Sequence, residues 1–151
     1  MDIAELELKI ARESSLELQF WAQCKREAER GLIPLPEWHV VLFGFETDFI
    51  WSDIRFRFVV QIQGGVEDGS GRSRGAHVRK AGYHRDRQLS NVAQVAGWKV
   101  FEFIKPDLDD NSAIEFVCNY IRLQLDLEAN EIVLRKKIAE LRKGKDGTTD
   151  T

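Results

Sequence analysis

The chain has 151 residues, a formal net charge of −3 and a hydrophobic fraction of 43%, which is typical of one soluble domain with its own core. Because the net charge is small, the protein as a whole has no strong electrostatic field that would attract nucleic acid or a membrane surface. Any nucleic-acid contact must therefore come from a local patch of basic residues. The first residues are charged throughout and no apolar run reaches membrane-spanning length, so we expect a cytoplasmic protein without a membrane partner. The two cysteines, Cys24 and Cys118, lack disulfide or metal-site spacing and are interpreted as reduced, buried thiols.

In chain order, the first half of the sequence predicts two helices and three strands. Apolar residues at helical spacing predict helix from about 3 to 30. Within it, the sequence from Ser14 to Glu17 fits a capping box, which would begin a second helix. Runs of β-branched and aromatic residues then predict strands at 38–43, 48–51 and 56–63.

The second half predicts a long loop, then a helix, a strand and a helix. The loop, at 65–82, is rich in glycine, serine and arginine and is too long for a simple connection. The later elements are predicted at about 86–96, 98–104 and 112–127. This order of helices and strands predicts an α/β fold with a mixed sheet.

The residues after Leu127 keep a helical pattern but are heavily charged. Leu127, Leu134 and Leu141 fall at heptad spacing, which allows either a homodimer through this helix or packing of the helix against its own domain. The last residues are small and polar and predict a disordered tail. We therefore divide the chain into a main domain at 1–127, a charged C-terminal helix at 128–143 and a tail at 144–151.

Polar residues stand at the ends of two otherwise apolar strands. Asp48 opens the second strand, and Gln61 and Gln63 close the third, just before Gly64. Pairing of the two strands would bring these three side chains together, and residues two apart share one face of a strand. The alternative, favoured by the pattern alone, is that both glutamines face solvent beside a turn. Glu17 likewise fits either a helix-capping role, favoured by composition, or a carboxylate that points into a site.

The long loop and the following helix form a basic segment. Between residues 69 and 99 the chain has seven basic residues and one acidic residue, Asp86. Because an arginine-rich loop suits phosphate contacts, we expect this segment to contact nucleic-acid phosphates rather than to be only a solvated surface. The residues predicted to make these contacts are Arg72, Arg74, Arg79, Lys80, Arg85 and Arg87.

The order of these motifs resembles that of a known family. Its members are small bacterial and phage endonuclease domains related to the very-short-patch repair endonucleases, within the PD-(D/E)xK nuclease superfamily. The resemblance runs from about residue 15 to 127, and its specificity lies in the order and spacing of short motifs. The matching segments are Leu16-Glu17, Gly31-Leu32-Ile33-Pro34-Leu35-Pro36, Asp48-Phe49-Ile50-Trp51, Gln61-Ile62-Gln63-Gly64-Gly65, Gly75-Ala76-His77, Gly82-Tyr83, Asp86 with Asn91, and Gly97-Trp98-Lys99-Val100.

The resemblance implies a restriction-endonuclease-like mixed β-sheet flanked by helices, with a C-terminal helical extension, and a metal-dependent DNA endonuclease activity. It implies that Asp48 and Gln61 ligate Mg²⁺ or Mn²⁺, which activates water and stabilises charge on the scissile phosphate. Glu17 would support the cation through water, and His77 and Asn91 would lie near the phosphate. The implied catalytic set is Asp48, Gln61, Gln63, Glu17, His77 and Asn91.

Two positions depart from the family pattern. Gln61 stands where the central carboxylate is expected, and an amide is a poorer ligand for a hard cation than a carboxylate. Leu89 stands where the family has a lysine ahead of Asn91. Three interpretations stay open: an active nuclease of a branch that uses glutamine, an engineered inactive variant, and a natural pseudo-nuclease that only binds nucleic acid.

Overall fold

Two helices, separated by a serine cap, begin the part of the chain that the structure describes. This structure is a computed structural model that describes residues 2–64 and 87–146. Helix α1 spans Ile3–Glu13 and helix α2 spans Ser15–Glu29. The Ser14 hydroxyl accepts a hydrogen bond from the Glu17 N–H at 3.2 Å, which confirms the predicted start of the second helix. The Ser14 N–H donates to the Ile10 carbonyl at 2.9 Å, so the Glu17 carboxylate is left to bind elsewhere.

A four-stranded mixed sheet follows, in the order β1-β4-β5-β6, with a separate β2-β3 hairpin. The strands of the described residues are β1 (Glu37–Trp38), β2 (Val41–Leu42), β3 (Phe45–Glu46), β4 (Phe49–Trp51), β5 (Phe58–Gln63) and β6 (Lys99–Ile104). Strand β4 pairs antiparallel with both β1 and β5, whereas β5 and β6 are parallel. The predicted α/β class with a mixed sheet is therefore confirmed.

The strand predicted at 38–43 is wrong, because the backbone turns twice within it. His39 and Phe43 both have a φ of 52°, and Gly44 has a φ of 81°. These left-handed residues end β1 after Trp38 and fold the next residues into the β2-β3 hairpin. A propensity pattern does not reveal such turns, since neither histidine nor phenylalanine marks them.

Three helices complete the described fold. The described part of α3 covers 87–95, α4 spans Lys105–Asp109 and α5 spans Ser112–Asp146. The short α4 was not predicted; it begins around Pro106, a residue that suits the first turn of a helix. Helix α5 runs through 144–146, so the tail predicted to begin at 144 is wrong for those residues, and 147–151 lie outside the described part. No helix within the described residues is long and apolar enough to cross a bilayer.

The main core lies between one face of the sheet and helices α2 and α5. Phe58 and Val60 of β5 are fully buried there with Phe20 of α2 and Val117 of α5. Phe20 meets Phe49 edge to face, with ring centroids 5.1 Å apart. Since side chains alternate along a strand, the neighbours of Phe58 and Val60 point to the opposite face.

The second face of the sheet is also covered. Ile50 of β4 and Val59 of β5 are buried, yet they lie outside the main core cluster. Leu89 and Ala93, four residues apart on α3, are buried outside it too. We infer that α3 packs on this second face, which is also the face to which Gln61 belongs by alternation with Val59.

Candidate functional site

Polar residues line up across the sheet at the carboxyl end of β5. In the β1-β4 pair, Trp38 faces Phe49, and one step on the His39 N–H donates to the Asp48 carbonyl at 3.0 Å. In the β4-β5 pair, Phe49 faces Val60, so Asp48 lies opposite Gln61. The parallel β5-β6 pairing then places Gln61 next to Glu102. Register alone thus brings the polar residues His39, Asp48, Gln61 and Glu102 onto neighbouring strands.

Asp48 and Gln61 are joined by two hydrogen bonds across the strand pair. The Asp48 N–H donates to Gln61 Oε1, and the Ile62 N–H donates to Asp48 Oδ2, each at 2.7 Å. Gln61 is only 6% exposed. The prediction that strand pairing joins Asp48 and Gln61 is confirmed, and the alternative that both glutamines face solvent is wrong for Gln61. Gln63 is half-buried two residues further along the strand.

Glu17 approaches the same place from the first turn of α2. Its Oε1 accepts a hydrogen bond from Trp38 Nε1 at 3.1 Å and lies 2.8 Å from His39 Nε2. The residue is 8% exposed, so the carboxylate is held in a restricted position. A Cβ placed on Gly64 would lie 3.7 Å from the Leu16 side chain, which shows how closely the start of α2 approaches the end of β5. The Glu17 carboxylate therefore does not make the reciprocal capping bond and contacts Trp38 and His39 instead.

His39 is the site residue that the sequence did not reveal. Its ring stacks on Trp38, with the ring centroids 3.7 Å apart. Ligand atoms of Glu17, His39 and Asp48 all lie within 4.8 Å of one another; these three residues are called the triad below. The left-handed backbone of His39 ends β1 at the point where its side chain reaches Glu17. Such strained residues occur often at functional sites.

Two further carboxylates surround the second nitrogen of the His39 ring. Nδ1 lies 3.2 Å from Glu13 Oε2 and 3.3 Å from Glu46 Oε1. A cation bound at the triad would take the Nε2 lone pair and leave the ring proton on Nδ1, where these acids accept it. Histidine ligands of metals characteristically donate their other ring N–H to a carboxylate in this way.

The triad offers a fitting donor set for a divalent cation. Carboxylate oxygens suit Mg²⁺ and Mn²⁺, and an imidazole nitrogen adds affinity for transition metals. The resemblance implies that Gln61 is a metal ligand. In the structure its Oε1 accepts a hydrogen bond from the Asp48 N–H, and its amide nitrogen has no lone pair for a metal. The ligand atoms of Glu17 and His39 lie within 4.8 Å of that of Asp48. The resemblance, by contrast, implies only a water-mediated role for Glu17 and no role for His39.

The other residues predicted for the site or for DNA contacts lie either on α3 or outside the described residues. Asn91 is exposed on α3, and Leu89 on the same helix is 1% exposed. Arg87 is exposed at the start of the described part of α3. The other predicted residues of the loop lie outside the described residues; they are His77, Arg72, Arg74, Arg79, Lys80 and Arg85.

Comparison with known proteins gives no relative for this chain. No protein-family model matches it, and neither does any curated protein or solved structure.

Proposed function

We propose that this protein is a metal-dependent DNA endonuclease whose activity is attenuated by Gln61, with a restriction-endonuclease-like fold. The observation that carries the proposal is the convergence of Glu17, His39 and Asp48, whose ligand atoms lie within 4.8 Å of one another. They meet at the carboxyl end of β5, the end of a parallel strand pair at which α/β proteins commonly bind their ligands. Ordered motifs that resemble those of PD-(D/E)xK nucleases support the same reaction class.

Each residue has a distinct part in this proposal. Asp48 and Glu17 would hold the cation through carboxylate oxygens, and His39 would add a nitrogen ligand. The chemistry supplied there would be Lewis-acid stabilisation of charge and activation of water. The hydrogen bond from the Ile62 N–H orients Asp48 by holding its Oδ2. Gln61 fixes the backbone of Asp48 through its Oε1.

The attenuation follows from the chemistry of the Gln61 amide. A glutamate at this position would keep one oxygen for the Asp48 N–H and would have a second, anionic oxygen to offer a cation. The amide has an N–H₂ group in place of that oxygen, and this group cannot ligate a cation. The cation therefore loses one anionic ligand while the backbone contact is preserved.

DNA is the proposed substrate because basic residues are concentrated in the sequence directly before α3. Arg87 leads into α3, the helix inferred to cover the Gln61 face. The other basic residues precede it in the chain. Replacing Arg72, Arg74 and Arg79 by alanine should weaken DNA binding and flatten its salt dependence, since fewer counterions would be released.

A second candidate function is a nucleic-acid-binding module without catalysis. It is favoured by one specific observation: the hydrogen bonding of Gln61 Oε1 is satisfied within the protein, so the strand pair forms without any cation. A binding module would hold DNA equally well with or without a divalent cation.

Cleavage assays separate the two functions. Supercoiled, single-stranded and branched DNA would be incubated with Mg²⁺ or Mn²⁺ and the wild-type protein, Gln61→Glu, or Gln61→Glu combined with Asp48→Ala. We expect Gln61→Glu to cut fastest and the double variant not to cut. The matched control is Gln61→Glu with Asp53→Ala, which removes a carboxylate from the turn at the opposite end of β4 and should retain cleavage. DNA binding without cleavage by Gln61→Glu would establish the binding module instead.

A further inference from the structure

Helix α5 extends well beyond the body of the protein. Ile121 is the last buried residue on it, and every residue from 129 to 145 is exposed. The segment from 129 to 146, called the extension below, is about 27 Å long at 1.5 Å per residue. Most helical stability in proteins comes from packing an amphipathic face, and residues 129 to 145 have no such packing within the described part of the chain. The extension therefore has the properties of a helix that packs against a partner.

One side of α5 carries an apolar stripe along this part of the helix. Leu127, Leu134, Ile138 and Leu141 fall within about 60° of one another around the helix axis, at 100° per residue. Their exposed fractions lie between 41% and 69%. Side chains of this kind are seldom left in water as a continuous stripe unless they form an interface.

The charges of α5 are segregated along its length. Between residues 123 and 134 the helix has three acidic residues and no basic one, Asp126, Glu128 and Glu131. Between residues 135 and 145 it has six basic residues and one acidic residue, Glu140. A parallel pair would place the two basic segments side by side, whereas an antiparallel pair places each basic segment beside an acidic one. The helix is thus complementary to a reversed copy of itself.

We propose that the partner is a second copy of this chain, bound antiparallel through the stripe of α5. Pairing centred on Leu134 puts Leu127 of one copy beside Leu141 of the other. The apolar stripe provides the burial, and the charge segregation fixes the direction. This interface involves none of the triad residues and does not depend on the proposed endonuclease function.

Sedimentation equilibrium of the full chain tests the interface. Leu134→Gln should raise the dimer dissociation constant roughly a hundredfold, because two leucines per dimer leave the interface. Val133→Gln is the matched control: Val133 is 51% exposed against 58% for Leu134, but it points about 100° away. Glutamine is a good helix former, so neither change should unfold α5. A protein that is monomeric at every concentration, or a dimer that survives Leu134→Gln, would overturn the proposal.

Cross-linking tests the direction of the pair. Leu127→Cys and Leu141→Cys proteins would be prepared with Cys118→Ser, which leaves only the fully buried Cys24 as a native thiol. Antiparallel pairing predicts disulfides between the two proteins when they are mixed, and little cross-linking of either protein alone. Efficient cross-linking of each protein to itself would show a parallel pair and would refute the proposed direction.

Discussion

Changing Gln61 to glutamate should destabilise the protein in the absence of a divalent cation. The carboxylate would keep the hydrogen bond that Oε1 accepts from the Asp48 N–H, but it would add a negative charge beside the Asp48 carboxylate. Two like charges roughly 5 Å apart repel by about 3 kcal/mol at an effective dielectric constant of about 20. Because Gln61 is 6% exposed, solvent relieves little of this repulsion. We expect the free energy of unfolding at neutral pH to fall by about 2 to 3 kcal/mol.

A divalent cation should reverse this loss. A cation at about 100 times its dissociation constant stabilises the folded state by about 2.7 kcal/mol, and the added carboxylate should strengthen its binding. The assay is urea denaturation of wild-type and Gln61→Glu proteins in EDTA, in Mg²⁺ and in Mn²⁺. Repulsion raises the pKa of a carboxylate in the folded state, so the deficit in EDTA should shrink as the pH falls and the group takes up a proton.

The control for added charge is Gln94→Glu. Gln94 is exposed on α3, so its substitution should change stability by no more than about 0.5 kcal/mol in any of the three solutions. Equal stability of Gln61→Glu and wild type in EDTA, with no response to cations, would refute the reasoning. Gln61 would then not lie beside a group of carboxylates that binds a divalent cation.

Three further predictions concern single side chains. Leu89→Lys restores the lysine of the family pattern and should lower the free energy of unfolding by about 3 kcal/mol or more, because Leu89 is 1% exposed. Val92→Lys, on the exposed side of α3, should change it little. Urea denaturation of both variants measures the difference. His39→Gly should be more stable than His39→Ala by about 1 kcal/mol, since both lose the ring but only alanine is strained at a φ of 52°; equal denaturation midpoints would contradict this. The hydrogen bond from the Arg55 side chain lowers the pKa of Asp53 from 3.8 to about 2. The stability that the ionised Asp53 contributes is therefore present above about pH 4 and is lost as the pH falls towards 2. Asp53→Asn should flatten acid unfolding, followed by circular dichroism, in that range.

The parts of the fold that were predicted correctly have regular patterns that extend over several residues. Strand β5 was recognisable because Phe58, Val59, Val60 and Ile62 are aromatic or β-branched, and the first three of them form an apolar run, as expected for a strand buried on both faces. The β2-β3 hairpin was not, since it depends on the left-handed conformations of His39 and Phe43. Helix α4 has only five residues, which is too few for a helical period to be visible in the sequence.

The site was predictable only where strand register determines it. The approach of Asp48 to Gln61 follows from pairing two adjacent strands. The role of Glu17 did not follow, because a capping residue and a ligand at the start of α2 both require a carboxylate at the same position. The approach of His39 to Glu17 and Asp48 depends on a single backbone angle at the end of β1. Sequence patterns carry no information on that angle, so the place of His39 beside these carboxylates became visible only in three dimensions.

The two requirements at position 61 can be separated on physical grounds. The Asp48 N–H needs an acceptor there, and glutamine and glutamate both provide one through Oε1. A divalent cation needs an anionic oxygen on the other side of the same group, and only glutamate provides it. In the proposed endonuclease, glutamine therefore preserves the strand pairing that positions Asp48 while it removes one anionic ligand. The proposal implies a folded site with reduced cation affinity, in which DNA binding and DNA cleavage can be lost independently.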